Sequence, residues 1–202
     1  MLNQEKINAN FVAYVKRLEK YGCYSEEMMK DLGDEIKNAS FGMSEDSGCA
    51  YRGALIDVVL NHLCKTAYAI NEMALNGNST LKVNLDKLMK VLLLQHIAKS
   101  QMYVAQTDTW RMNKLGEIYK FNDRLVCNMK NGERSVYLCQ KYGIKIEEDE
   151  YEAIRIIDKE VDDKSLYHVS PLAMLVLAVN QLTWIELRKE WENKQKKDVT
   201  EL

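Results

Sequence analysis

Asn84-Leu85-Asp86-Lys87-Leu88-Met89-Lys90-Val91-Leu92-Leu93-Leu94-Gln95-His96-Ile97-Ala98-Lys99 is the stretch on which the fold turns. Between Leu88 and Ile97 it is apolar on most sides, and a helix of that kind belongs at the centre of a domain. The neighbouring segments must therefore supply helical faces that cover it. Upstream, Leu55, Val58, Val59, Leu63, Tyr68 and Ala69 recur at three and four, which predicts a long helix over 50–76 stopped by Asn76-Gly77-Asn78. Residues 4–20 carry Ile7, Phe11, Val12, Val15 and Leu18 at helical spacing, with Gly22 as a stop. Ser25 is an N-cap for a second helix, and Glu26 and Glu27 face its positive dipole end.

Downstream the pattern changes. Thr109–Met112 and Glu117–Phe121 alternate around Asn113–Gly116, which predicts a β-hairpin. Helices resume over 132–142 and 147–157, the acidic run Glu147–Glu150 reading as a helix N-terminal face. Ser170-Pro171 is a cap followed by proline at the first helical position, opening a last helix over 171–194. The expected architecture is mainly α, a helical bundle with a small β-hairpin. It forms one domain over 1–202: N-terminal helices over 1–47, a core over 48–188 and a frayed tail over 195–202.

Composition narrows the function classes. With 28 basic and 30 acidic residues the formal net charge is −2, so no global field recruits extended nucleic acid or an anionic membrane. Five cysteines without a CxxC pair read as reduced thiols, which suits a cytoplasmic protein. Runs such as Val91–Leu94 and Leu172–Val179 are too short to span a bilayer. The start of the chain carries no apolar secretory segment. Ten methionines read as core filler.

Several stretches, in one order and spacing over residues 48–188, resemble the HD-domain phosphohydrolase family of phage and prophage type. They are Ala50-Tyr51-Arg52-Gly53-Ala54-Leu55, Leu93–Lys99, Asn131–Tyr137, Glu152–Arg155 and Ser170–Ala173, with Trp110-Arg111 where such proteins carry a strand. The resemblance implies a helical fold, and family members hold divalent metals with histidines and aspartates so that bound water attacks a phosphate ester. At the matching positions this chain has Gly48, Val58, Gln95, His96, Asn131, Ile157 and Asn180. Aliphatic side chains cannot ligate, and neutral amides are weak ligands, so no catalytic residue, family metal or other cofactor is expected. The alternative is a relocated metal site using His62 and His96, with Asp57 or Asp86, which would make the chain an active hydrolase. Against it stands the plain reading of His62 and His96 as ordinary helix histidines, and of His168 as a loop residue.

Lys99 matches a lysine that the family turns toward the substrate phosphate. The resemblance therefore implies an inactive pocket that binds, and sequesters, a phosphorylated nucleotide-like small molecule, such as a cyclic nucleotide immune signal in phage counter-defence. In that case the chain works in the host cytoplasm. The expected binding residues are Lys99 and Arg52 on the phosphate, Tyr51 and Trp110 near the base, and Arg111, Gln95, His96 and Asn180 around them. Lys120 and Arg134 could complete a basic rim, and Tyr119 reads as hairpin packing. Cys49 lies in a glycine-rich loop that could lower its thiol pKa, but no histidine is near it in sequence. A third reading is a protein-interaction module whose pocket is filled by side chains. Homo-oligomerisation is left open.

Overall fold

A computed structural model of the chain describes residues 2–76, 84–159 and 168–200. Two N-terminal helices come first, α1 (Gln4–Lys20) and α2 (Glu26–Asn38). Asn3 caps α1 by accepting from the Lys6 N–H, and Ser25 caps α2 by accepting from the Met28 N–H, as the sequence predicts. After a single 3₁₀ turn at Glu45–Ser47, the long central segment begins later than its expected Ala50. Gly53 takes a left-handed φ of 81° and launches α3 (Ala54–Val58), which passes through a π-helical turn at Val59–Leu63 into α4 (Cys64–Asn76). The predicted stop at Gly77 and Asn78 lies outside the described residues.

The apolar run becomes α5 (Leu85–Leu94), and Leu88, Met89 and Val91–Leu94 are buried, so the central position expected for it holds. Tyr14 ties α1 to it by donating its hydroxyl hydrogen to the Leu93 carbonyl at 2.8 Å. The helix does not continue to Lys99. It breaks into turns over Gln95–Ala98 and restarts as α6 (Lys99–Met102). The cause lies far along the chain. Ser135 donates its hydroxyl to the Gln95 carbonyl at 2.9 Å and accepts from the Ala98 N–H at 3.2 Å. An outside partner thus satisfies backbone groups that a continuous helix would pair internally.

The predicted hairpin exists with different strands. β1 (Tyr103–Ala105) and β2 (Tyr119–Phe121) pair antiparallel, Tyr103 opposite Phe121, and the intervening Thr109–Leu115 is helix α7. Asp108 overrides the short alternation at 109–112 by accepting from the Trp110 and Arg111 N–H groups, and Gly116, at φ 60°, ends the helix. Among the described residues, α8 (Asn131–Lys141), α9 (Glu148–Arg155), a 3₁₀ turn at Ile156–Asp158 and α10 (Pro171–Thr200) follow. Pro171 opens α10 as predicted, and Ser170 accepts from the Ala173 N–H. Helix α10 runs past its expected end at 194 as far as Thr200. Leu172, Ala173, Val176, Val179 and Leu187 bury one face of α10, which packs on α9, α5 and α4. No helix among the described residues is long and apolar enough to cross a membrane.

Candidate functional site

The turn that interrupts α5 carries three side chains singled out from the sequence. Gln95, His96 and Lys99 are 0, 4 and 8 % exposed. His96 is held from both sides by amides. Its Nδ1 accepts from Asn131 Nδ2 at 2.8 Å, and its Nε2 donates to Asn180 Oδ1 at 3.1 Å. The amide orientations fix this tautomer: Asn180 Nδ2 donates to Gln95 Oε1 at 3.1 Å and to the Val176 carbonyl, while Asn131 Nδ2 also faces the Gln95 carbonyl. The result is a neutral imidazole in a neutral network. Burial first, and then the positive Lys99, push the His96 pKa down to about 3, while the Asn180 contact acts the other way.

Gln95, His96, Asn131 and Asn180, chosen for their match to a family's ligand positions, therefore meet in one buried cluster. The cluster does not fit a metal. Both ring nitrogens of His96 are engaged by amides, and Val58 is a wholly buried hydrocarbon. The cluster's buried atoms without a protein partner, Gln95 Nε2 and Asn131 Oδ1, include a donor that repels a cation. Its chemistry is that of a hydrogen-bonded core.

Lys99 stands beside this cluster. Its Nζ donates to the Phe41 carbonyl at 2.6 Å and lies 4.0 Å from the Phe41 ring centroid and 5.3 Å from that of Tyr103. Among the described residues no carboxylate comes within ion-pair distance of it, and burial pulls its pKa down to about 8. Phe41 is shared: its ring meets His96 edge-on at 4.8 Å and Trp184 at 5.6 Å. Cys49 is buried close enough to feel the lysine, and burial raises its thiol pKa despite Lys99 and the Ser47 hydroxyl, so the loop does not lower it.

The remaining expected site residues sit differently. Arg52 is exposed and its Nε donates to Asn38 Oδ1 at 2.8 Å. Tyr51 donates to Asp57 Oδ2 at 2.7 Å, so Asp57, which also accepts from Asn10 and Asn61, is occupied. Trp110, 60 % exposed, and Arg111, bound to Glu117 at 3.0 Å, project from α7. His168 is exposed, as expected. The alternative of a relocated metal site would bring His62 and His96 together; instead His62 Nδ1 faces Glu186 Oε2 at 3.2 Å and both ring nitrogens of His96 face amides, in keeping with the plain reading of two ordinary helix histidines. Asp86 lies at the start of α5 and takes no part. Sequence reasoning missed Phe41, which acts through its carbonyl and so leaves no side-chain signature, and Tyr103 and Trp184, which carry no motif. A cleft of about 1450 Å³ lies elsewhere, lined by Glu133, Asp149, Arg155 and Asp158 among others. Comparison with family models, with curated proteins and with solved structures gives no match to this chain.

Proposed function

We propose that this chain is a catalytically silent helical binding protein, of HD-like descent, which takes a phosphorylated nucleotide-like ligand at Lys99 and sequesters it without turnover. The observation that carries the reading is Lys99 itself, a buried ammonium with aromatic neighbours and no carboxylate partner. Burying a charge without an opposite charge is costly, and residues kept at a cost to stability mark functional sites. A phosphate would replace the Phe41 carbonyl as the acceptor for Nζ, and Tyr103 and the half-exposed Trp184 offer ring faces to a base. The convergence of Gln95, His96, Asn131 and Asn180 supports the descent, and their neutrality supports the silence.

The test is Lys99→Met. Without ligand, this variant should melt at or above the wild-type temperature, because a desolvated charge has gone. The pH dependence has a definite sign. The folded-state pKa is lowered from 10.5 to about 8, so the penalty is in full force below pH 8 and fades as pH rises toward 10.5. Wild type should therefore gain stability over that window, and Lys99→Met should lack the gain. Calorimetric titration with mononucleotides, cyclic dinucleotides and cyclic ADP-ribose isomers should show wild-type binding that weakens about tenfold or more in the variant. That follows from about 1.5–3 kcal/mol for a hydrogen bond to a charged group. Arg52→Ala should weaken binding less, since Arg52 is exposed and already bonded.

The second reading, a protein-interaction module, is favoured by the exposed apolar side chains Met174, Leu182 and Ile185 on α10. Absence of wild-type binding across the whole panel would select it.

A further inference from the structure

The π-helical turn at Val59–Leu63 brings His62 against α10, where Glu186 and Glu190 stand one turn apart on the same face. We infer that His62, Glu186 and Glu190 form a three-ligand site for a borderline divalent cation of the zinc class. It shares no residue with the surroundings of Lys99 or with the amide-bound His96.

The geometry is close to what such an ion needs. One ligand atom from each residue lies within 4.8 Å of the others, and His62 Nδ1 and Glu186 Oε2 are already 3.2 Å apart. Donors bound tetrahedrally at about 2.0–2.2 Å stand roughly 3.4 Å from one another, so side-chain rotation alone closes the set. One imidazole with two carboxylates suits zinc, cobalt or manganese better than magnesium or calcium, which prefer all-oxygen shells. Two like charges at i and i+4 repel, and among the described residues no lysine or arginine forms an ion pair with either glutamate. A dication neutralises both. His62 is 12 % exposed and anchored on the buried side, whereas Glu186 is 51 % exposed, which leaves a path from solvent and a fourth position for water. π turns recur at functional sites, and here one sets the only histidine of the cluster. The bound ion staples the π segment to α10, so it stabilises the folded chain.

The metal-free 202-residue chain titrated with Zn²⁺ should bind one ion per chain, with a rise in melting temperature. Co²⁺ should give the visible absorption of a four-coordinate site. Glu190→Gln and Glu186→Gln change exposed positions and should each weaken Zn²⁺ binding roughly tenfold or more, with the unliganded melting temperature near wild type. His62→Gln should abolish the cobalt band. Cys127, the exposed thiol, is the competing ligand, and Cys127→Ser should bind Zn²⁺ as wild type does. Lys99→Met should also bind it normally, which separates this site from the binding proposed at Lys99. Failure of wild type to bind one Zn²⁺, binding unchanged in both glutamate variants, or binding lost in Cys127→Ser would each overturn the assignment.

Discussion

Lowering the pH from 6.5 toward 4 should destabilise the fold through His96 with a limiting slope of about 1.4 kcal/mol per pH unit, or roughly 3 kcal/mol over the interval. The folded histidine is neutral, donating to Asn180 and accepting from Asn131, and its pKa is pushed down to about 3. In the unfolded chain the same residue takes up its proton near pH 6.5. Between those values the unfolded state holds more protons, so stability falls as pH falls, and the loss is complete only below pH 3. Protonation would also force Asn131 to turn its donor away from Nδ1, next to an ammonium at Lys99. Urea midpoints at pH 7, 6, 5 and 4 should separate wild type from His96→Gln, whose slope lacks this contribution. Carboxylates such as Asp149, held below the usual range by Lys87, titrate in both proteins and cancel in the difference. Identical slopes would mean that His96 charges freely in the folded state.

How much of this was legible in the sequence depends on how far each cause lies from its effect. Caps and periodicity are local, so Ser25, Ser170-Pro171 and the central run Leu88–Leu94 read correctly. The break at Gln95–Ala98 is not local, because Ser135 imposes it from α8 across about 40 residues of chain. Helix α7 was hidden for the opposite reason. A single capping side chain, Asp108, outweighs a four-residue alternation that looked like a strand. In the candidate site, Gln95, His96 and Asn180 were found through position, and they do meet. That Lys99 would rest on a backbone carbonyl was beyond reach, since Phe41 offers the sequence only a ring. Arg52 and Trp110 were grouped with Lys99 through the family resemblance, and both project outward with partners or solvent of their own.

The acidic run shows the same division, and it holds the ionic contact with the largest expected effect. Reading Glu147–Glu150 as a helix N-terminal face is right as far as it goes, for Glu147 is the N-cap of α9 and Glu150 reaches back to it from the third helical position, as in a capping box. Glu150 does more. Its carboxylate is nearly buried, accepts from the Glu147 N–H at 2.9 Å, and meets Lys90 Nζ of α5 at 2.7 Å. Lys87 stays on the outside with Glu147 and Asp149, so the two lysines do not share a partner. Glu150→Ala should therefore cost about 3–5 kcal/mol, the range for leaving half of a buried ion pair behind. The loss of the cap adds about 1 kcal/mol or less to that figure. Glu150→Gln keeps an acceptor for both hydrogen bonds and removes only the charge, so it should lose distinctly less. Lys90→Met should destabilise by a similar mechanism from the other side, stranding the carboxylate on a single N–H. Combining Lys90→Met with Glu150→Gln should cost less than the two added together, because neither charge then remains to be stranded. Urea unfolding of the four variants at pH 7 measures all of this, and a cost under 1 kcal/mol for Glu150→Ala would mean that Lys90 finds water as good a partner as Glu150.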